Sequence, residues 1–243
     1  MMKSFLHTLT IAALAMAGSL GLAQQPRAEQ LSEAKIIFEI NASAGDGGIQ
    51  IFVDGEQWKR LEVFDPTGQK IFDVFGSSSI GVTGLTELFF ESAEPSFADL
   101  PLDQLLLRFP QGSYRFEGVT VAGARLAGMA TLSHTLPAGP TVVAPAEGST
   151  LPANAPVVIN WNPVTQPYPG TTSPITISGY QVIVERDRRK SPVAFNVTLP
   201  PTVTRVTVPP EFIQAKREYK FEVLAIDKSG NQTITEGSFK TGP

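Results

Sequence analysis

Residues 219–225 read Tyr-Lys-Phe-Glu-Val-Leu-Ala, so that Tyr219, Phe221, Val223 and Ala225 fall on one side of an extended strand with polar residues between them. The same period of two recurs upstream. Val206 and Val208 alternate before a turn at Pro209-Pro210, Tyr180, Val182 and Val184 alternate in the middle of the segment, and Val157, Ile159 and Trp161 precede them. Short alternating runs separated by Pro- and Gly-bearing connections describe a sandwich of strands rather than a helical domain.

With Pro140-Thr141-Val142-Val143-Ala144-Pro145 and Gly148 as first strand and bend, this set of strands resembles a fibronectin type III domain over nearly all of residues 140–243. The resemblance implies that Tyr219 makes a corner hydrogen bond and that Trp161 packs in the core. The connection from Asn162 to Thr176 departs from the family pattern by its length and by Pro163, Pro167, Pro169 and Pro174. No Arg-Gly-Asp sequence is present, so the integrin-contact device of some family members has no counterpart.

Ahead of this domain, alternation places strands at Lys35 to Asn41, 49–53, 61–63, 70–75, 85–91, 114–117 and 126–132. Asp54-Gly55 suits a tight hairpin, and Asp65-Pro66-Thr67-Gly68 suits a turn. Leu102, Leu105, Leu106 and Phe109 instead follow helical spacing after Pro101, which predicts a short helix over 101–108 crossing a β-sandwich. Gly112-Ser113-Tyr114-Arg115-Phe116 resembles the tyrosine corner of immunoglobulin-like domains. The expected architecture is therefore all-β: an immunoglobulin-like sandwich at 35–135 with a short crossover helix, a stiff linker at 136–140, and a fibronectin type III domain at 141–243.

Lys3, the apolar run Leu9 to Ala17 and the small residues Gly21-Leu22-Ala23 read as an export signal over 1–23, followed by a flexible tail at 24–34. A spanning helix needs roughly 20 apolar residues, and Gly18, Ser19 and Gly21 interrupt this one. The expected destination is secreted or periplasmic, with no membrane span after cleavage. With no cysteine, the exported chain relies on its cores alone. Residues 24–138 carry 15 acidic and 8 basic side chains and residues 139–243 carry 8 and 10, a balance that offers nucleic acid no basic face.

Chemistry-bearing residues are sparse. His134 is the one histidine beyond the signal and no Gly-x-Ser-x-Gly turn occurs, which argues against a Ser-His-Asp machine and against zinc. Asn41 to Gly47 faintly matches a calcium loop, but Phe52 stands where the terminal Glu belongs; Asp46, Asp54 and Glu56 are the other oxygen donors nearby. Glu87, Glu91 and Glu94 read as a solvated face. Asn41, Asn196 and Asn231 each begin an Asn-x-Ser/Thr sequon. No catalytic residue, metal ligand or cofactor is assigned.

Binding residues are expected on loops at one sandwich end: Tyr168 as an aromatic anchor, and Lys228 with Asn231 on the turn 228–231. Arg186, Arg188 and Arg189 form a basic run that offers a grip for anionic polysaccharide, the plainer reading being a charged loop that protects a sheet edge. The function these features imply is non-enzymatic binding or assembly at the cell envelope or surface, through protein or glycan contact. The alternative is a carbohydrate-active hydrolase with a carboxylate pair in the first domain and the second domain as spacer.

Overall fold

A computed structural model describes residues 27–153, 155–186 and 193–243. The first domain contains β1 (Glu29–Gln30), β2 (Glu33–Asn41), β3 (Asp46–Phe64), β4 (Lys70–Phe75), α1 (Ser78–Thr83), β5 (Leu85–Glu91), α2 (Leu102–Arg108), β6 (Gly112–Thr120) and β7 (Arg125–Leu132). The second contains β8 (Val142–Ala144), β9 (Ser149–Leu151), β10 (Val157–Trp161), β11 (Ile177–Arg186), β12 (Ala194–Leu199), β13 (Arg205–Val208), β14 (Glu218–Asp227) and β15 (Gln232–Thr241). The architecture is all-β, two sandwich domains with two short helices.

In the second domain β13-β10-β8 faces β12-β11-β14-β15, the two layers of a β-sandwich, with β9 added in parallel to β15. Alternation delivers Trp161, Tyr180, Val182, Val184, Tyr219, Phe221 and Phe239 into the space between the layers. Each such side chain, fully withdrawn from water, contributes on the order of 2 kcal/mol. The Tyr219 hydroxyl accepts the Gln214 amide hydrogen at 2.8 Å and donates to the Phe212 carbonyl at 3.4 Å, the corner that the resemblance implied.

The first domain is built on β3. Its first half pairs with β2 and β5, its second half with β6 and β4. The bend falls where register shifts between Asp54 and Trp58, at the point where Asp54-Gly55 was expected to close a hairpin. The chain instead continues as one strand, held by β2 before this point and by β6 after it, and Gly55 lies close to Leu31, where a Cβ would stand 2.8 Å from Cδ2. The sheet wraps Ile36, Phe38, Ile40, Trp58, Leu61, Tyr114 and Phe116, and α2 closes it with Leu105, while Leu102, Leu106 and Phe109 pack alongside. Tyr114 donates to the Pro110 carbonyl at 3.0 Å, a second tyrosine corner. Residues expected as a tail join the sheet, since β1 pairs in parallel with β7 and Leu31 donates to the Ala127 carbonyl.

Candidate functional site

The linker is the lesser part of what joins the two domains. β15 pairs with β14 from its first residue, and on its other edge its start pairs in parallel with the end of β2, Gln232 with Glu39, Thr233 with Ile40 and Ile234 with Asn41, so one sheet runs through both domains. Ala42 extends the ladder by donating to the Ile234 carbonyl. On one side of this seam the Thr233 hydroxyl donates to the Pro137 carbonyl at 2.7 Å. Asn231, 1% exposed, accepts from the Phe38 amide and donates to the Ser133 and Thr135 carbonyls. All of these groups would exchange their protein partners for water if the domains parted.

The opposite side of the seam is acidic. Glu39 is buried, receives a hydrogen bond from Gln232 Nε2, and lies near Glu91 and Glu94. Burial, reinforced by those two carboxylates, pushes its pKa up to about 7. The Glu94 carboxyl is raised by burial and then by Asp46 and Glu91, and Asp46 by burial and then by Glu236. Glu222 is likewise raised by burial, then by Glu236 and Glu185. Repulsion thus links carboxyls from β5 across the seam to β11.

This acidic face contains an open cleft of about 510 Å³ lined by Ser43, Glu147, Lys220, Glu222, Glu236 and Ser238, together with Phe221 and Gly237. Strand register sets Glu222 directly opposite Glu236. Both parts of the walls are tied in place: Glu236 accepts from the Asn41 side chain at 2.8 Å and its amide donates to Ser43 Oγ, while Glu147 accepts from the Ser238 amide and hydroxyl. Ser43 belongs to the β2–β3 turn, so the first domain supplies one lip of a cleft floored by the second. Such a cleft attracts cations and offers short polar acceptors to them.

The side chains expected to bind are dispersed. Tyr168 is half-buried against the first domain's core, its ring edge-on to Phe97 at 6.2 Å and its amide donating to the Leu136 carbonyl. The Pro-rich connection therefore lies back on the first domain, with Pro167 bridging Pro137. Asn231 is sealed in the seam as described, which also withdraws its sequon. Lys228 is exposed on the β14–β15 turn. Arg186 ends β11 and donates to Gln214 Oε1 at 3.3 Å, whereas Arg188 and Arg189 lie outside the described residues, as does the leader sequence.

His134 donates through Nε2 to the Phe109 carbonyl at 2.9 Å and meets Phe38 edge-on. Asn41, first residue of the calcium-like loop, accepts from the Ser43 and Ala44 amides and so serves as a turn former. Among the described residues no three His, Cys, Asp or Glu side chains group as metal ligands, and no helix is long and apolar enough to cross a membrane. Sequence reasoning passed over Glu39, Glu147, Glu222, Glu236 and Gln232. The available signal was the polar phase of alternating strands for Glu39, Glu222, Gln232 and Glu236, a phase that ordinarily marks a solvated face, and Glu147 lies in the turn between β8 and β9.

No protein-family model and no curated protein matches the sequence. Among solved structures the chain is similar to the FN1–FN3 domains of chicken CNTN1, at 12% identity and a TM-score of 0.33, covering 89% of this chain and 66% of that one. It is also similar to a two-domain fibronectin type III segment of chicken tenascin (10% identity, TM-score 0.30, 86% and 98% covered). A third similarity is to a structure described as concerning host cell surface retention of a bacterial ice-binding adhesin (15% identity, TM-score 0.29, 88% and 65% covered).

Proposed function

We propose that this chain is an exported, non-enzymatic binding or assembly protein of the cell envelope or surface, and that it takes a Lys- or Arg-bearing segment of a partner protein in the seam cleft. The observation that carries the reading is the Glu222–Glu236 pair. Two carboxylates directly opposite each other on neighbouring strands repel and destabilise a sheet, and burial of Glu222 adds to the cost. A cation bound between them removes that penalty. The seam supports the reading further, because a cleft whose lips come from two interlocked domains loses little freedom on binding. Export rests on the sequence of residues 1–23.

The test is fluorescence-detected binding of a labelled oligolysine peptide to the chain beginning at Gln24. Binding that weakens with salt, and at least about tenfold in Glu222→Gln/Glu236→Gln, is the expected result. Equal affinity in the double variant overturns the placement, and selective capture of a neutral glycan overturns the partner class.

A further inference from the structure

The sheet that runs through both domains ends, in the second domain, at β12. Among the described residues the outer edge of β12 pairs with no strand, so backbone N–H and C=O groups of Ala194–Leu199 point outward at the spacing an added strand would take. Proteins guard such edges with charge, proline, bulges or brevity, and the other free edges here are guarded in those ways. β1 has two residues, β8 and β9 have three each, β4 carries Lys70 and Asp73, β5 carries Glu87 and Glu91, and β13 carries Arg205. β12 reads Ala-Phe-Asn-Val-Thr-Leu, six residues with no charge and no proline, paired with β11 without a break in register. Pro200 and Pro201 stop the edge without entering it.

The order of side chains along β12 selects the strand that fits it. Two copies related by a two-fold axis through the sheet pair β12 antiparallel with itself, and because paired residues share a face, the axis passes through one residue. Centred on Val197, Phe195 meets Leu199 of the second copy and Asn196 meets its Thr198; centred on Asn196, Phe195 meets Val197 and Ala194 meets Thr198. Either register sets apolar on apolar on the inner side, where Phe195, Val197 and Leu199 pack on the second domain's core, and uncharged on uncharged on the exposed side. Any charge in a self-pairing strand is doubled across the joint, so the lack of charge in β12 is what this symmetry requires. Asn196 Oδ1 accepts from Gln181 Nε2 at 2.9 Å, which leaves its own amide hydrogens to donate across the joint.

We propose that β12 is the self-association edge of this protein: two copies join there antiparallel, and the sheet continues from one copy into the other. Strand register puts Asn196, Ile183 and Glu222 in one row across β12, β11 and β14. In the pair, β14 of one copy stands five strand spacings from β14 of the other, roughly 24 Å, and the two-fold axis keeps both Glu222 side chains on the same face. The dimer thereby presents two acidic seam clefts side by side, while the pairing itself is independent of what those clefts bind. Six residues of edge bury much less than the roughly 800 Å² per partner of a standard interface, so the dimer is weak, with a dissociation constant on the order of 0.1 mM.

Sedimentation of the chain beginning at Gln24 over a concentration series up to about 1 mM tests this, with charge placed on the exposed side of the edge. The parent should pass from monomer to dimer, and hydrogen exchange within Ala194–Leu199 should slow as the dimer forms. Asn196→Lys/Thr198→Lys and Asn196→Glu/Thr198→Glu should each dimerise at least about tenfold more weakly in either register, with unchanged circular dichroism spectra. An equimolar mixture of the two variants should dimerise again, which a folding defect cannot produce. A parent that stays monomeric throughout, dimers indifferent to these charges, or a mixture that fails to recover would each overturn the proposal. So would uptake of an uncharged strand-forming peptide at β12 by a parent that does not pair with itself.

Discussion

The side-chain oxygen of Asn231 accepts the backbone amide hydrogen of Phe38 at 2.8 Å, joining a residue at the start of the last strand to the core strand of the other domain across 193 positions of sequence. Its amide nitrogen simultaneously serves Ser133 and Thr135. One side chain, itself 1% exposed, thus pairs with three residues, one on β2 and two in the segment that follows β7.

Asn231→Ala strips partners from the buried Phe38 amide and from two part-buried carbonyls. A loss of about 2–4 kcal/mol follows from leaving such groups unsatisfied. Urea denaturation of the parent should show a single transition; in the variant the two domains should separate into two. An unchanged single transition would mean that the seam is held elsewhere.

Glu39 makes the seam sensitive to pH. Its pKa stands near 7 in the fold against an ordinary 4.5, so the folded state favours the protonated carboxyl. That preference is fully present below about pH 4.5 and is lost as pH rises through about 7, at a cost on the order of 2 kcal/mol after allowance for partial solvation. Glu39→Gln keeps an acceptor for Gln232 and should flatten this component of a stability profile measured between pH 4 and 8.

Glu222→Gln removes a repulsion rather than a support. Stability at pH 7 should rise by a few tenths to about 1 kcal/mol, while oligolysine binding falls. A rise in one with a fall in the other, read by thermal unfolding and by titration of the same sample, is the signature of a site that holds opposed charge for a ligand.

Tyr168→Ala should behave as a packing variant. Removing the ring from Phe97 and the first domain's core should cost about 2–3 kcal/mol, and oligolysine affinity at a temperature where the variant remains folded should be unaffected.

Much of the fold was legible because it is written locally. The period of two around Trp161, Tyr180 and Tyr219 assigns the core face of each strand of the second domain, and the spacing of Leu102, Leu105 and Leu106 assigns the short helix. Asp54-Gly55 has the chemistry of a turn and predicts two pieces of strand; what keeps β3 extended is its pairing with β2, β5 and β6, which is not a local property.

By itself the sequence determined which residues face inward within each sandwich, since alternation and burial are coupled strand by strand. Only the tertiary structure decided what the outward residues do. Glu39 and Gln232, Glu222 and Glu236, and Tyr168 and Phe97 meet through pairings and packing that no local period records. Parallel pairing of β2 with β15 over three residues adds too few contacts to leave a pattern in either strand. It nevertheless turns two sandwiches joined by a linker into one body with an acidic cleft at its seam.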